Sequence, residues 1–167
     1  PDSSDILIIE DGVVIGHTVE SKRGEIVIEN LIIPDGVTAI GENAFFYDDG
    51  NGNTTTYIDN ISFPDSLKTI GDNAFSHCQF GEQTIVIPEG VTTIGQNAFG
   101  YSFISAIQLP DSLTGICFSS FPDNEQGNGL VGSIQYKGKT FSDWPKPEEI
   151  KELCRSICYD ENGLYIE

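Results

Sequence analysis

Basic residues and long apolar runs are scarce in this 167-residue chain. It contains 8 Lys and Arg against 26 Asp and Glu, which gives a formal net charge of −18. Such a chain lacks the cationic clusters with which proteins bind nucleic-acid backbones and anionic membrane surfaces. No stretch approaches the roughly 20 apolar residues that span a bilayer. The composition therefore argues against nucleic-acid binding and membrane insertion, and it favours cations as charged partners.

Methionine is absent, and no targeting segment precedes the polar start Pro1-Asp2-Ser3-Ser4. This start is typical of a processed or excised piece, so the missing signal does not indicate a cytoplasmic protein. The four cysteines are too few and too scattered for a disulfide-based scaffold. Hydrophobic residues make up 38% of the chain, which predicts one folded domain with a core rather than disorder.

One pattern recurs four times along the chain. In each copy an apolar residue precedes a proline, and a phenylalanine follows that proline by 11 residues. The copies align without gaps, and their prolines lie 30, 24 and 22 residues apart. Self-similarity at this spacing predicts a solenoid, in which each repeat packs on its neighbours. The copies span residues 33–45, 63–75, 87–99 and 109–121.

Each position of the repeat predicts a local structure. The proline ends a short strand because it lacks an amide donor, and Asp-Gly, Asp-Ser or Glu-Gly then forms a turn. An apolar pair follows, as in Val37 and Ile40, and the glycine after it is expected to permit a sharp turn. The Asn-Ala-Phe run predicts a short helical turn that carries a core anchor. Stacked copies would align these anchors into an aromatic spine of Phe45, Phe75, Phe99 and Phe121.

These cores resemble the BspA-like leucine-rich repeats, which are common in bacterial surface proteins. The resemblance rests on cores of the form I-P-x-G-V-T-x-I-G-x-N-A-F and on Cys78, at a position where the family often carries a buried cysteine. It covers about residues 5 to 140 and implies a β-rich α/β solenoid, a right-handed superhelix of about four repeats. The fourth copy departs from the pattern as terminal repeats do, with Cys117, Phe118 and Ser119 in place of glycine, a polar residue and asparagine.

Both ends of a solenoid need a cap, because each would otherwise expose an apolar face. Residues 5–29, with an Asp11-Gly12 turn, are predicted to form an N-terminal β-hairpin cap. Residues 30–132 hold the repeats, and residues 133–167 a C-terminal strand–helix cap. Its helix is predicted near 147–158, beginning at Pro147-Glu148-Glu149.

Cys154 and Cys158 fall on the apolar stripe of that helix and are predicted to be small core residues. A redox or metal role is the alternative, although a zinc site needs about four ligands. A further alternative is a disulfide between Cys117 and one of them in an oxidising compartment.

The remaining candidates for chemistry do not form a catalytic pattern. His17 and His77 do not stand beside a serine or acid in a known catalytic arrangement, and they are predicted to be surface or packing residues. The acidic stretch 48–53 resembles the start of a calcium loop, but Thr54 and Asn60 occupy the positions of its glycine and final acid. We therefore expect a solvated, mobile loop there and at 123–129. The sequence predicts no catalytic residue, no metal site and no cofactor.

Alternation along the strand before each proline suggests where a partner binds. Side chains at every second position point away from the core and would form a neutral, mildly apolar sheet face across the repeats. We expect this face to bind a protein partner, with an ordinary solvated face as the alternative. Its residues are Asn30, Ile32, Asn60, Ser62, Thr84, Val86, Ala106 and Gln108.

The family resemblance implies a non-catalytic interaction or adhesion module of a bacterial surface or secreted protein, located at the cell surface or outside the cell. One alternative is a carbohydrate-binding module, for which Tyr47, Tyr57 and Tyr101 are the candidate stacking residues. Another is a structural spacer within a longer polypeptide.

Overall fold

The computed structural model describes residues 3–51, 55–122 and 129–141. In these residues the chain forms short strands and two single-turn 3-10 helices, Ser3–Asp5 and Phe118–Ser120. The strands are β1 (Leu7–Glu10), β2 (Val13–His17), β3 (Ile26–Ile32), β4 (Ala39–Ile40), β5 (Thr56–Ser62), β6 (Thr69–Ile70), β7 (Cys78–Phe80), β8 (Thr84–Val86), β9 (Thr93–Ile94), β10 (Phe103–Ile104), β11 (Ala106–Gln108), β12 (Gly115–Ile116), β13 (Leu130–Val131), β14 (Ile134–Tyr136) and β15 (Lys139–Phe141).

Three sheets run along the molecule. Sheet 1 has the order β1-β2-β4-β6-β9-β12, sheet 2 the order β3-β5-β7-β10-β13, and sheet 3 the order β8-β11-β14-β15. All pairings are parallel except the hairpins β1–β2 and β14–β15. Since parallel neighbours come from successive passages of the chain, the described residues form a β-solenoid of about four coils.

The strand before each proline bends in the middle. In β3 and β5 the burial alternates except at one step, where two consecutive residues are exposed, as at Asp59 and Asn60. In later coils the same stretch divides into two strands, β7 and β8, then β10 and β11, then β13 and β14. Gly81 lies at this break because a Cβ there would overlap the carbonyl oxygen of Asp59. The bend therefore gives each coil two outward surfaces, one before it and one after it, and in the later coils these lie on sheets 2 and 3.

The predicted aromatic spine is confirmed. Ring centroids are 4.9 Å apart for Phe45–Phe75, 5.3 Å for Phe75–Phe99 and 5.4 Å for Phe99–Phe121, and the planes lie within 12° of parallel. All four side chains are buried. Aromatic pairs contribute about 0.5–1.5 kcal/mol beyond the burial of their area, so the spine links all four coils.

The prediction of a helical turn at Asn-Ala-Phe is wrong. Asn43, Asn73 and Asn97 have φ of 57°, 55° and 50°, which is left-handed backbone that cannot continue a right-handed helix. The chain instead pairs sideways with the next coil, as Phe75 N donates to Ala98 O at 2.7 Å. Asparagine suits this corner because its short polar side chain tolerates the left-handed region. The helical part of the α/β class thus finds no support in the described residues, which form a β-solenoid.

The glycine of the first three repeats begins a turn, as expected, since Ala44 N, Ala74 N and Ala98 N each donate to the carbonyl oxygen of the glycine three residues earlier at 3.3 Å. The same glycine also permits close approach between coils. Gly71 N donates to Ile40 O of the preceding coil at 2.8 Å, and Gly41 and Gly95 make the equivalent bond. A Cβ at Gly71 would lie 2.9 Å from the backbone nitrogen of Glu42. Only a residue without a side chain lets the coils approach so closely.

Hairpins flank the coils at both ends of the described chain. The turn of β1–β2 is formed by Asp11 and Gly12, with φ of 49° and 78°, as a two-residue hairpin requires. Strand β3 begins at Ile26, inside the 5–29 stretch assigned to the cap. Ser3 Oγ accepts from Ile32 N at 2.7 Å and donates to Ile32 O at 2.8 Å, which satisfies the outer edge of β3. The helix predicted near 147–158 lies outside the described residues.

Candidate functional site

The eight predicted binding residues, called the repeat face below, lie on four strands. Asn30 and Ile32 belong to β3, and the other pairs belong to β5, β8 and β11. All are exposed except Ala106, which is half-buried. Ile32 and Val86 are 52% and 51% exposed, although both are aliphatic.

Register aligns the repeat face in two pairs of strands, β3 with β5 and β8 with β11. Asn30 stands opposite Asn60 and Ile32 opposite Ser62. Asn60 Nδ2 donates to Asn30 Oδ1 at 3.2 Å, which joins the first pair across two coils. The later strands pair likewise: Thr84 with Ala106, Val86 with Gln108, and Gln108 with Gln135 of β14.

The repeat face offers amides, hydroxyls and aliphatic groups on backbone that is fixed by strand pairing. It contains no ionisable side chain and no nucleophile with an adjacent base, so it can bind but has no group for acid–base chemistry. Gln108 borders a shallow groove of about 420 Å³. Glu89 and Lys137 also line this groove, so it adds charges of both signs at one end of the face.

A second group of side chains, which we call the aromatic edge, consists of the corner residues Phe46, His77 and Tyr101 and the outward residues Tyr57 and Phe103 of sheet 2. His77 and Tyr101 occupy equivalent positions, two residues after their spine phenylalanines, and their rings stack with centroids 4.7 Å apart. Phe46 meets the other side of His77 at 5.5 Å in a tilted contact. Tyr101 and Phe103 are 45% and 47% exposed. Tyr57 and Tyr101 were predicted only as candidate sugar-stacking residues, although the fixed offset from the spine phenylalanine predicts the stack of His77 on Tyr101.

The backbone at the aromatic edge is strained. His77 and Tyr101 have φ of 59° and 58°, where a residue with a Cβ costs roughly 1–2 kcal/mol. At the Asn43, Asn73 and Asn97 corners the same region is occupied by a residue type that tolerates it. Stacking of the two rings offsets part of the strain.

His77 is held in a defined orientation. Ser76 Oγ lies 3.0 Å from its Nδ1, within hydrogen-bond distance. Burial lowers the pKa of His77, and the nearby Asp48 carboxylate partly opposes this by favouring the charged form. The ring is therefore an aromatic surface near neutral pH rather than a fixed positive charge.

His17 continues the aromatic spine at its N-terminal end. Its ring stacks on Phe45 with centroids 5.7 Å apart, and its Nδ1 is buried without a hydrogen-bond partner in the described part of the chain. Burial lowers the pKa of His17. The residue therefore packs against the spine, as predicted.

The two cysteines among the described residues differ in oxidation state. Cys78 is a free thiol with 1% exposure, and burial raises its pKa well above the ordinary value. Its Sγ donates to Phe45 O at 3.8 Å, close to where Thr56 Oγ1 donates to the same oxygen at 3.0 Å. Cys117 is disulfide-bonded. Cys154 and Cys158, predicted to be core residues, lie outside the described residues.

The repeats of this chain match a known protein family. The BspA-type leucine-rich repeat region matches residues 24–126, in six copies. The chain belongs to the BspA-type leucine-rich repeat family. None of the curated proteins matches it. The BspA-type match includes all of the repeat face and the aromatic edge, so both surfaces are carried by the repeats.

In the acidic loop of this BspA-type chain, one oxygen of each of two carboxylates accepts a hydrogen bond from the loop backbone. Asp48 Oδ1 accepts from Gly50 N and Asp49 Oδ1 from Asn51 N, each at 2.8 Å. Across residues 3–51, 55–122 and 129–141, no three His, Cys, Asp or Glu side chains converge as a metal site would require. In the same ranges no helix has the length and apolar character to cross a membrane.

Proposed function

We propose that this protein is a non-catalytic interaction module whose repeat face binds a protein partner. One observation carries the proposal: in a chain of net charge −18, the eight residues of the repeat face carry no charge. Charged residues are depleted from the buried centres of protein interfaces, where they would lose their hydration. A neutral strip across four strands is therefore the surface of this molecule best suited to form such a centre.

The composition of the repeat face supports the same proposal. Ile32 and Val86 expose about half of their surface, and burying apolar area contributes roughly 25 cal/mol per Å². The amides of Asn60 and Gln108 add directional hydrogen bonds. Because strand pairing already orders the backbone, a partner would bind at a low cost in conformational entropy.

We further propose that the module acts at the surface of a bacterium or in a secreted protein. The BspA-type family is common in bacterial surface proteins. The disulfide-bonded Cys117 supports this setting, because disulfides persist in oxidising compartments.

A binding panel of purified extracellular-matrix proteins tests the proposed function. We expect the wild-type protein to bind at least one of them, and Val86→Asp combined with Gln108→Arg to weaken that binding at least tenfold. The matched control is Thr38→Asp with Thr92→Arg, which introduces the same charges at exposed positions on the side of sheet 1. Equal binding by both double variants would rule out the repeat face.

The two alternative functions, a carbohydrate-binding module and a structural spacer, predict different experimental results. A carbohydrate-binding module would retain a glycan on an array and lose it in Tyr47→Ala or Tyr57→Ala. Both side chains are half-buried, and Tyr47 packs against the core, so neither presents an open ring face as a sugar platform does. A structural spacer would bind nothing in either assay.

A further inference from the structure

The aromatic edge is a second outward surface, separate from the repeat face. In sheet 2, Tyr57 stands opposite Gln79, Gln79 opposite Phe103, and Phe103 opposite Leu130. Register therefore places Phe103 beside Leu130, and Tyr101 lies two residues before Phe103 at the corner. The side chains of Tyr101, Phe103 and Leu130 are 45%, 47% and 49% exposed.

The charges on the strands of sheet 2 have a single sign. The five strands of sheet 2 contain no Lys or Arg, but they contain Glu29 and Asp59, both exposed. Asp48 lies close enough to His77 to act on it electrostatically. An aromatic surface bordered by carboxylates, in a chain of net charge −18, attracts cations and repels anions.

We propose that the aromatic edge binds an arginine-bearing segment of a partner protein. The planar guanidinium is the cation that stacks best on aromatic rings while it pairs with carboxylates. Tyr101 and Phe103 supply the exposed rings, and Asp48 and Asp59 supply the charge. This site lies on the part of sheet 2 before the bend and on its adjoining corner, whereas the repeat face lies after the bend.

Charge also decides against the two other occupants of such a surface. A second copy of this chain would bring another net charge of −18 against the patch, which opposes association. A neutral saccharide can donate hydrogen bonds to the carboxylates, but it carries no charge that the net charge of the chain would attract.

Fluorescence anisotropy with three labelled peptides of equal length tests the proposal. The peptides alternate leucine with arginine, lysine or glutamate, and the titration is run at two salt concentrations. We expect the arginine peptide to bind more tightly than the lysine peptide by at least threefold, and the glutamate peptide not to bind. Tyr101→Ser combined with Phe103→Ser should weaken the binding of the arginine peptide at least fivefold at 150 mM salt.

Two control variants separate ring contacts from general charge attraction and from misfolding. Ile32→Ser with Val86→Ser removes the same number of exposed apolar groups from the repeat face and should leave peptide binding within twofold. Tyr101→Phe keeps the ring and should bind as the wild type does, and thermal melting confirms that each variant is folded.

Three results would overturn the proposal. They are no arginine-peptide binding by the wild type, unchanged binding by Tyr101→Ser with Phe103→Ser, and retention of a neutral glycan that depends on these two rings while the peptide is ignored. Because the repeat face is probed with Val86→Asp and Gln108→Arg, failure at one surface is distinguishable from failure at the other.

Discussion

The imidazole of His17 lies on the ring of Phe45, with centroids 5.7 Å apart and planes 17° from parallel, as the N-terminal member of the aromatic spine. Its Nδ1 is buried and has no hydrogen-bond partner in the described residues. The position therefore combines a favourable stack with an unsatisfied polar atom, whose burial costs about 1–3 kcal/mol.

We expect His17→Phe to stabilise the protein by about 1 kcal/mol, because phenylalanine keeps the stack and removes the buried nitrogen. Chemical denaturation at neutral pH measures the change in the free energy of unfolding. His17→Ala is the control and should destabilise the protein, since it loses the ring. A destabilising His17→Phe would mean that Nδ1 has a partner.

The same substitution should alter the pH dependence of stability. Burial lowers the pKa of folded His17 below its value in the unfolded chain, about 6.5. As the pH falls below that value, the unfolded chain takes up a proton that folded His17 does not, so stability is present above it and is lost towards acid pH. The gain from His17→Phe should therefore be larger at about pH 5 than at pH 7, as paired urea titrations would show. A gain that does not change with pH would contradict this linkage.

Gly71→Ala should destabilise the protein by about 1–3 kcal/mol, because the added methyl group meets the backbone of Glu42 and the coils are forced apart. Gly16→Ala is the matched control, since a Cβ there has no neighbour nearer than 4.0 Å. We expect that change to be neutral or slightly stabilising. Similar losses at the two sites, measured by thermal or urea unfolding, would contradict the close-approach account.

Substitutions at Asn73 test whether the corner has a left-handed backbone. Asn73→Gly should change stability by only a few tenths of a kcal/mol, because glycine adopts a φ of 55° without strain. Asn73→Ala should cost about 1–2 kcal/mol, since alanine is strained there. If the corner were helical, the order of the two variants would reverse, because alanine is the better helix former.

Cys78 should resist alkylation in the native protein. Its thiol is buried, and burial raises its pKa, so both access and the thiolate fraction are low. We expect iodoacetamide to modify Cys78 at least tenfold more slowly in native buffer than in denaturant, as peptide mapping by mass spectrometry would measure. Rapid native labelling would show that the second coil opens locally.

The proline-to-phenylalanine spacing by itself determined the coil, the spine and the alternation of Ile61 and Ser62 across the sheet. These features depend on which residues are apolar and at what interval, and a single sequence contains that information. Burial of Leu31, Ile85 and Ile107 agrees with this alternation.

Only the tertiary structure decided what happens at the corners and between coils. Asn73 sits in a run that favours a helical turn, but pairing with the next coil satisfies its backbone in a left-handed conformation instead. Gly71 is required by the neighbouring coil, which lies 30 residues earlier at Gly41. The ring of His77 meets Tyr101 because stacking brings equivalent positions together. The sequence records which residues are equivalent, and the distance between coils decides which of their side chains touch.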